Sequence, residues 1–205
     1  MTNAGKGKLV AVEENLVDKV WGSHRPSRPE NPVFVLPEKF TGITSLLTLL
    51  MTGKPFQEKL TELRKELTEK KASGMVVSML DEVAWLFNLR GSDIDYNPVF
   101  FAYAVITQDS ATLYINENKL SQEVKDHLEG IEIAPYEDIF GRIKVLGEEI
   151  DEESTGGKIF VSNKCSWALT LSLGEEKVVE GGHFTYARET YCRTQPHTKC
   201  ESRQE

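Results

Sequence analysis

An α/β fold with a mixed central sheet flanked by helices is what this sequence predicts. Val99 to Thr107 is a nearly continuous apolar run, and such a run suits a strand covered on both faces. Ala111 to Ile115 follows after Gln108-Asp-Ser110, the composition of a hairpin turn. Pro55 to Lys71 carries Phe56, Leu60, Leu63 and Leu67 on one helical face. Strands that alternate with such helices call for a sheet with helices packed against it.

Taken in order, the elements support this class. Residues 1–8 are small and polar, the composition of an unstructured terminus. Leu9 to Trp21 reads as a helix with Val12, Leu16, Val17 and Val20 along one side. From Arg25 to Pro37, Pro26, Pro29, Pro32 and Pro37 impose an extended linker, because proline fixes φ and turns its predecessor away from helix. Pro55 suits a first helical turn, and Glu66 and Lys70 form an i,i+4 pair. Met75 to Met79 is a short buried strand.

Asp81 is placed to cap the next helix, with Glu82 in its first turn and Val83, Ala84, Leu86, Phe87 and Leu89 buried. Arg90-Gly-Ser-Asp-Ile-Asp-Tyr-Asn-Pro98 then breaks into a polar turn. Ser121 caps a helix through Leu128, Ile131 to Ala134 is a strand, and Tyr136 to Ile150 is helical with Ile139, Ile143, Leu146 and Ile150 inward. Lys158 to Ser162 and Lys177 to Glu180 are strands around a Ser166–Leu173 helix, after an acidic loop over 151–157. Trp21, Trp85 and Trp167 stand among apolar neighbours and read as packing residues.

A net charge of -8 argues against nucleic acid and anionic membranes as partners. No stretch approaches the ~18–20 apolar residues of a membrane span, and no signal-peptide core follows the N-terminus. Three cysteines are no disulfide framework, so a cytoplasmic, reduced protein is expected. Ser166 lacks a nucleophile-elbow context, and Cys165 has no histidine near it in sequence. His183, Cys192, His197 and Cys200 are spaced too irregularly for a zinc site. Neither catalytic nor metal-ligating residues are therefore expected in this chain.

The polar turn between two buried elements is where a site would be mounted. Arg90, Asp93, Asp95 and Tyr96 are its candidates. The plain alternative is that Arg90 pairs with Asp93 or Asp95 to hold the turn.

Asp81-Glu-Val-Ala-Trp-Leu-Phe-Asn-Leu-Arg-Gly-Ser-Asp93 and Tyr96-Asn-Pro-Val-Phe-Phe-Ala-Tyr103 resemble the second domain of the eukaryotic, three-domain Xaa-Pro aminopeptidases (aminopeptidase P). Glu14 to Gly22 with Arg25-Pro26 is similar to that family's junction between first and second domains. Lys59-Leu-Thr-Glu-Leu-Arg64 and Lys164-Cys-Ser-Trp-Ala168 match in the same order. The resemblance implies a creatinase N-terminal-like fold for 38–180, a remnant of domain I over 1–24 and a linker over 25–37. It implies an enzyme that removes an N-terminal residue preceding proline, with two divalent ions, manganese being expected, in a third domain absent here. The partners implied are that domain in cis or a peptidase subunit, and proline-containing peptides. It also implies that the Arg90–Tyr96 loop faces the substrate entrance. The alternative is a stand-alone protein-interaction module from a truncated product.

Two segments depart from the family. Residues 43–53, rich in leucine, interrupt a block that otherwise joins Lys39-Phe-Thr-Gly42 to Lys54-Pro-Phe56. From Gly181 the likeness stops. Read one nucleotide later, the codons permitted for Gln195 to Glu205 include Ser-Pro-Ile-Gln-Ser-Ala-Lys-Ala-Val-Lys, similar to the family's continuation. The tail over 181–205 is thus expected to be frame-shifted, exposed and poorly ordered.

Overall fold

The computed structural model describes residues 15–36, 54–149 and 157–180. Six strands form one mixed sheet, helped by a separate two-stranded ribbon. The ribbon joins β1 (Phe34–Val35) to β3 (Leu89–Arg90) in antiparallel fashion, with Phe34 opposite Arg90. The main sheet contains β2 (Gly74–Val77), β4 (Ala102–Thr107), β5 (Ala111–Ile115), β6 (Glu132–Ala134), β7 (Ile159–Val161) and β8 (Val178–Glu180). Their order is β6-β5-β4-β2-β7-β8. Strand β4 runs antiparallel to both neighbours, and every other pair is parallel. The carboxyl ends of β2, β5, β6, β7 and β8 consequently lie at one end of the sheet, where β4 begins.

Side chains alternate between two cores with the period of two that strands impose. Met75, Val77, Ala104, Ile106, Leu113 and Phe160 point to one face. Helices α2 (Phe56–Glu69), α3 (Leu80–Leu86) and α4 (Gln122–His127) cover that face. Val76, Val105, Tyr114, Ile159 and Val161 point to the other, under α5 (Ile139–Glu149) and α6 (Trp167–Leu173). Helix α5 touches α6 through Gly147, where an added Cβ would meet the Leu173 carbonyl.

The predicted helix over 55–71 forms, buries Phe56, Leu60, Leu63 and Leu67, and carries the Glu66–Lys70 pair at 2.9 Å. The hairpin closes with Thr107 N–H donating to Ser110 O at 2.9 Å. Ser121 and Ser166 each accept the backbone N–H three residues on, as caps do.

Several expectations change. Asp81 is not a cap: the N-cap position is Met79, which leaves Asp81 and Glu82 both in the first turn of α3. There the two carboxylates still favour the positive end of the helix dipole. The 99–107 run enters the sheet only at Ala102, Val99 and Phe100 being buried ahead of it. Tyr136 to Asp138 is a 3₁₀ turn leading into α5. Helix α1 (Leu16–Trp21) is the described part of the 9–21 reading, whose residues 9–14 lie outside those described, and it buries none of its side chains. Trp21 and Trp167 are 46% and 52% exposed, while Trp85 alone is the core residue expected, at 5%. The leucine-rich segment and the tail from 181 lie outside the described residues.

Candidate functional site

The polar turn begins where α3 ends. Lys59, a buried residue of α2, reaches across to donate to Trp85 O at 2.6 Å and to Asn88 Oδ1 at 2.5 Å. Its ammonium also lies 4.2 Å from the centre of the Trp85 ring, a cation–π contact made stronger by the lack of water. Asn88 has φ of 55°, in the left-handed region that asparagine tolerates better than most residues. Its Nδ2 donates to Lys54 O at 3.1 Å. The reversal so fixed directs Leu89 and Arg90 into β3.

Arg90 turns back on the helix it has just left. Its Nη1 donates to Ala84 O at 3.0 Å and to Leu89 O at 2.8 Å. On Ala84, in the last turn of the helix, a cation satisfies an orphan acceptor and suits the negative end of the dipole. Burial pulls the Arg90 pKa below the ordinary arginine value. Among the described residues no carboxylate pairs with it, so the ion pair from Arg90 to Asp93 or Asp95 does not form.

Asp93 pairs with Lys119 instead. Both side chains are essentially sealed from water, at 0% and 2% exposure. The Asp93 Oδ2 accepts from the Lys119 ammonium and from Phe101 N–H, the latter at 2.7 Å. Its Oδ1 is buried without a hydrogen-bond partner. Gly91 is required beside this pair, since a Cβ there would lie 2.7 Å from Phe100 Cβ. Beyond it, Asn97 N–H donates to Ile94 O at 3.1 Å and closes a tight tip. Asp95 and Tyr96 occupy that tip, both exposed, with Tyr96 at φ 62°.

The four candidates thus separate into two groups. Arg90 and Asp93 are spent on holding the base of the loop, while Asp95 and Tyr96 project from it.

A cleft of about 500 Å³ opens next to this base, at the carboxyl ends of β5 and β6. Ser27 to Glu30 form one wall, and Ile115, Ile133, Pro135 and Tyr136 form the other, with Lys119 between them. Arg28 forms an ion pair with Glu137, and its guanidinium lies 4.5 Å from the centre of the Tyr136 ring. The Glu137 carboxylate raises the Arg28 pKa. Burial, and then the neighbouring Tyr103, whose ring lies 5.1 Å away, push the Tyr136 phenol well above its usual range. Asn31 Nδ2 donates to Ser92 O at 2.8 Å and ties the same segment to the candidate loop.

Sequence reasoning misses Arg28, Lys119 and Tyr136. Arg28 carries one signal, a cation among prolines, where an extended backbone presents side chains outward. Lys119 carries none, because its carboxylate is 26 residues away. Among the described residues no group of three His, Cys, Asp or Glu could hold a metal ion. His183, Cys192, His197 and Cys200 lie outside the described residues. No helix of the described residues is long and apolar enough to cross a membrane.

The creatinase/prolidase N-terminal domain family matches residues 24–189. The chain belongs to that family. This creatinase/prolidase N-terminal domain is 53% identical over 181 residues to a protein of Paracoccidioides lutzii described as probable Xaa-Pro aminopeptidase P, a match covering 85% of this chain and 28% of the relative. A Sordaria macrospora protein of the same description is 55% identical over 181 residues, covering 86% and 28% respectively. Among solved structures, an X-prolyl aminopeptidase from Caenorhabditis elegans superposes with a TM-score of 0.72 at 28% identity. That match covers 83% of this chain and 26% of the other, which is described as a cytosolic enzyme with a di-nuclear active site. The resemblance to Xaa-Pro aminopeptidases and the creatinase N-terminal architecture both hold. The chain spans little more than a quarter of the length of these relatives. Its described residues offer no ligand cluster that fits a di-nuclear centre.

Proposed function

We propose that this chain is the non-catalytic, second-domain part of a cytoplasmic Xaa-Pro aminopeptidase. The whole enzyme removes an N-terminal residue preceding proline by metal-assisted hydrolysis, with two divalent ions, manganese by preference, held in a separate domain. In this reading residues 1–24 close a preceding domain, 25–37 link it to the domain over 38–180, and 181–205 is a frame-shifted tail. The observation that carries it is identity above half with aminopeptidase P relatives that are nearly four times longer than the match.

The sheet topology supports a role at the substrate entrance. The tip carrying Asp95 and Tyr96 lies at the same end of the sheet as the carboxyl terminus of β8, where a following domain would begin. Arg90 and Asp93 keep the tip in place, and Asp95 and Tyr96 meet proline-containing peptides or the rim of the catalytic domain.

Two measurements test the proposal. The isolated chain with manganese and a Xaa-Pro peptide should release no amino acid, and release would overturn the fragment reading. In a full-length enzyme carrying this domain, Tyr96→Ala should lower kcat/KM severalfold with little change in melting temperature. Unchanged kinetics would leave the loop a purely structural element.

A further inference from the structure

The segment that enters the domain is fastened at points of very different strength. At Val33 it is anchored firmly: Val33 is buried, and its N–H donates to Lys119 O at 2.9 Å. Upstream of that, the proline-rich stretch has no regular structure and is mostly exposed. Among the described residues, its wall of the cleft is held by side chains alone. Arg28 binds Glu137 and Tyr136 at one end, and Asn31 binds Ser92 at the other. The Arg28 and Glu137 side chains are 56% and 70% exposed. Water therefore screens their attraction.

We propose that residues 27–31 are an openable strap over the cleft, latched by Arg28 on Tyr136 and Glu137, hinged at Val33, and coupled through Asn31 to the candidate loop. Three features make it a strap rather than an ordinary loop. Pro29 and Pro32 stiffen the segment, so it moves as a unit about its anchored end. The surface beneath it is largely apolar, formed by Phe101, Ile115 and Ile133, and is already shaped as a cavity rather than collapsed. The cavity also ends on Lys119, whose ammonium is committed to Asp93 at the base of the loop. Movement of the chain that precedes the domain would thus alter both access to the cleft and the tether on Ser92.

The test uses a thiol beneath the strap. Ile133 lines the cleft from the same face as Ile115 and is half-buried. Ile133→Cys is made in the 205-residue chain with Cys192→Ser and Cys200→Ser, leaving Cys165 as an internal reference. Reaction with a water-soluble disulfide reagent is followed at both sites. Adding Arg28→Ala should raise the rate at the introduced thiol about tenfold, the combined scale of one exposed ion pair and one exposed cation–π contact. The Cys165 rate should not move. Arg28→Lys, which keeps the charge without the planar stack, should fall between. Glu137→Gln repeats the test from the other side, should the Arg28 variant fold poorly. Equal acceleration at both thiols would show general loosening, and an unchanged rate at the introduced thiol in both latch variants would show no strap; either result overturns the proposal.

Discussion

The base and the tip of the Arg90–Pro98 loop are a few residues apart and obey opposite rules. At the base, Asp93 and Lys119 are sealed together, and Asp93 also receives the Phe101 N–H. At the tip, Tyr96 is fully exposed and held at φ 62°. The base is over-determined by buried charge, while the tip spends backbone strain on projecting one aromatic ring. Charged residues close together in a sequence are not a site by that fact. The role of each depends on whether the fold has already used its charge.

The sharpest way to break this comparison is at Asp93. Asp93→Ala leaves Lys119 buried without a counter-ion, and losing one partner of a buried pair costs about 3–5 kcal/mol. For a chain of this size that lowers the melting temperature by roughly 10 °C, measurable by calorimetry. A drop of under a few degrees would mean that water reaches the pair.

Gly91→Ala comes next. The new methyl would press on Phe100 Cβ from 2.7 Å, and overpacking of that kind costs about 1–3 kcal/mol. Chemical denaturation with an unchanged slope is the check. At the tip the sign reverses. Tyr96→Gly removes the left-handed strain and should be neutral or stabilising by up to about 1 kcal/mol, even though it removes the exposed ring. Loss of stability there would show that the tip is packed in solution.

The smallest effect concerns the cleft side of the base. Tyr136→Phe removes a hydroxyl from a ring that lies 5.1 Å from the Tyr103 ring, a net change of no more than about 1 kcal/mol at neutral pH. The folded-state pKa of Tyr136 is raised, so between the unfolded value of about 10 and the higher folded one only the native state keeps the proton. The stability from this group is present below a pH of about 10 and declines as pH rises above it. The wild type should therefore lose stability relative to the variant as pH rises above about 10, and a relative gain would contradict the assigned direction.

Local patterns made much of the fold legible. The four apolar residues of α2 and the run through β4 and β5 carry their burial in their spacing. The readings that changed share a cause, which is that the folded backbone, not the local charge pattern, chose the partners. Arg90 stands two residues from a serine and three from an aspartate, yet its hydrogen bonds go to backbone carbonyls of Ala84 and Leu89. Asp93 finds Lys119 through the pairing of β4 with β5, which no interval in the sequence states. The helix ending at Trp21 has an apolar stripe of the right period, but nothing among the described residues covers it: Leu16, Val17 and Val20 are 66%, 57% and 87% exposed. Periodicity shows that a face wants cover, not what supplies it.

The two lysines buried among the described residues have a consequence for the chemistry of the chain in a cell. Lys59 and Lys119 are each 2% exposed and hold their ammonium groups in hydrogen bonds, whereas the Lys65 side chain is 79% exposed. Acetylating and ubiquitin-transferring enzymes must approach an amine from solvent, so the folded domain hides these two lysines and displays Lys65. Acyl groups on Lys59 or Lys119 in a recovered sample would therefore record that the chain had been unfolded when it was marked. The ratio of modification at these two positions to that at Lys65 is a built-in gauge of the domain's unfolding history.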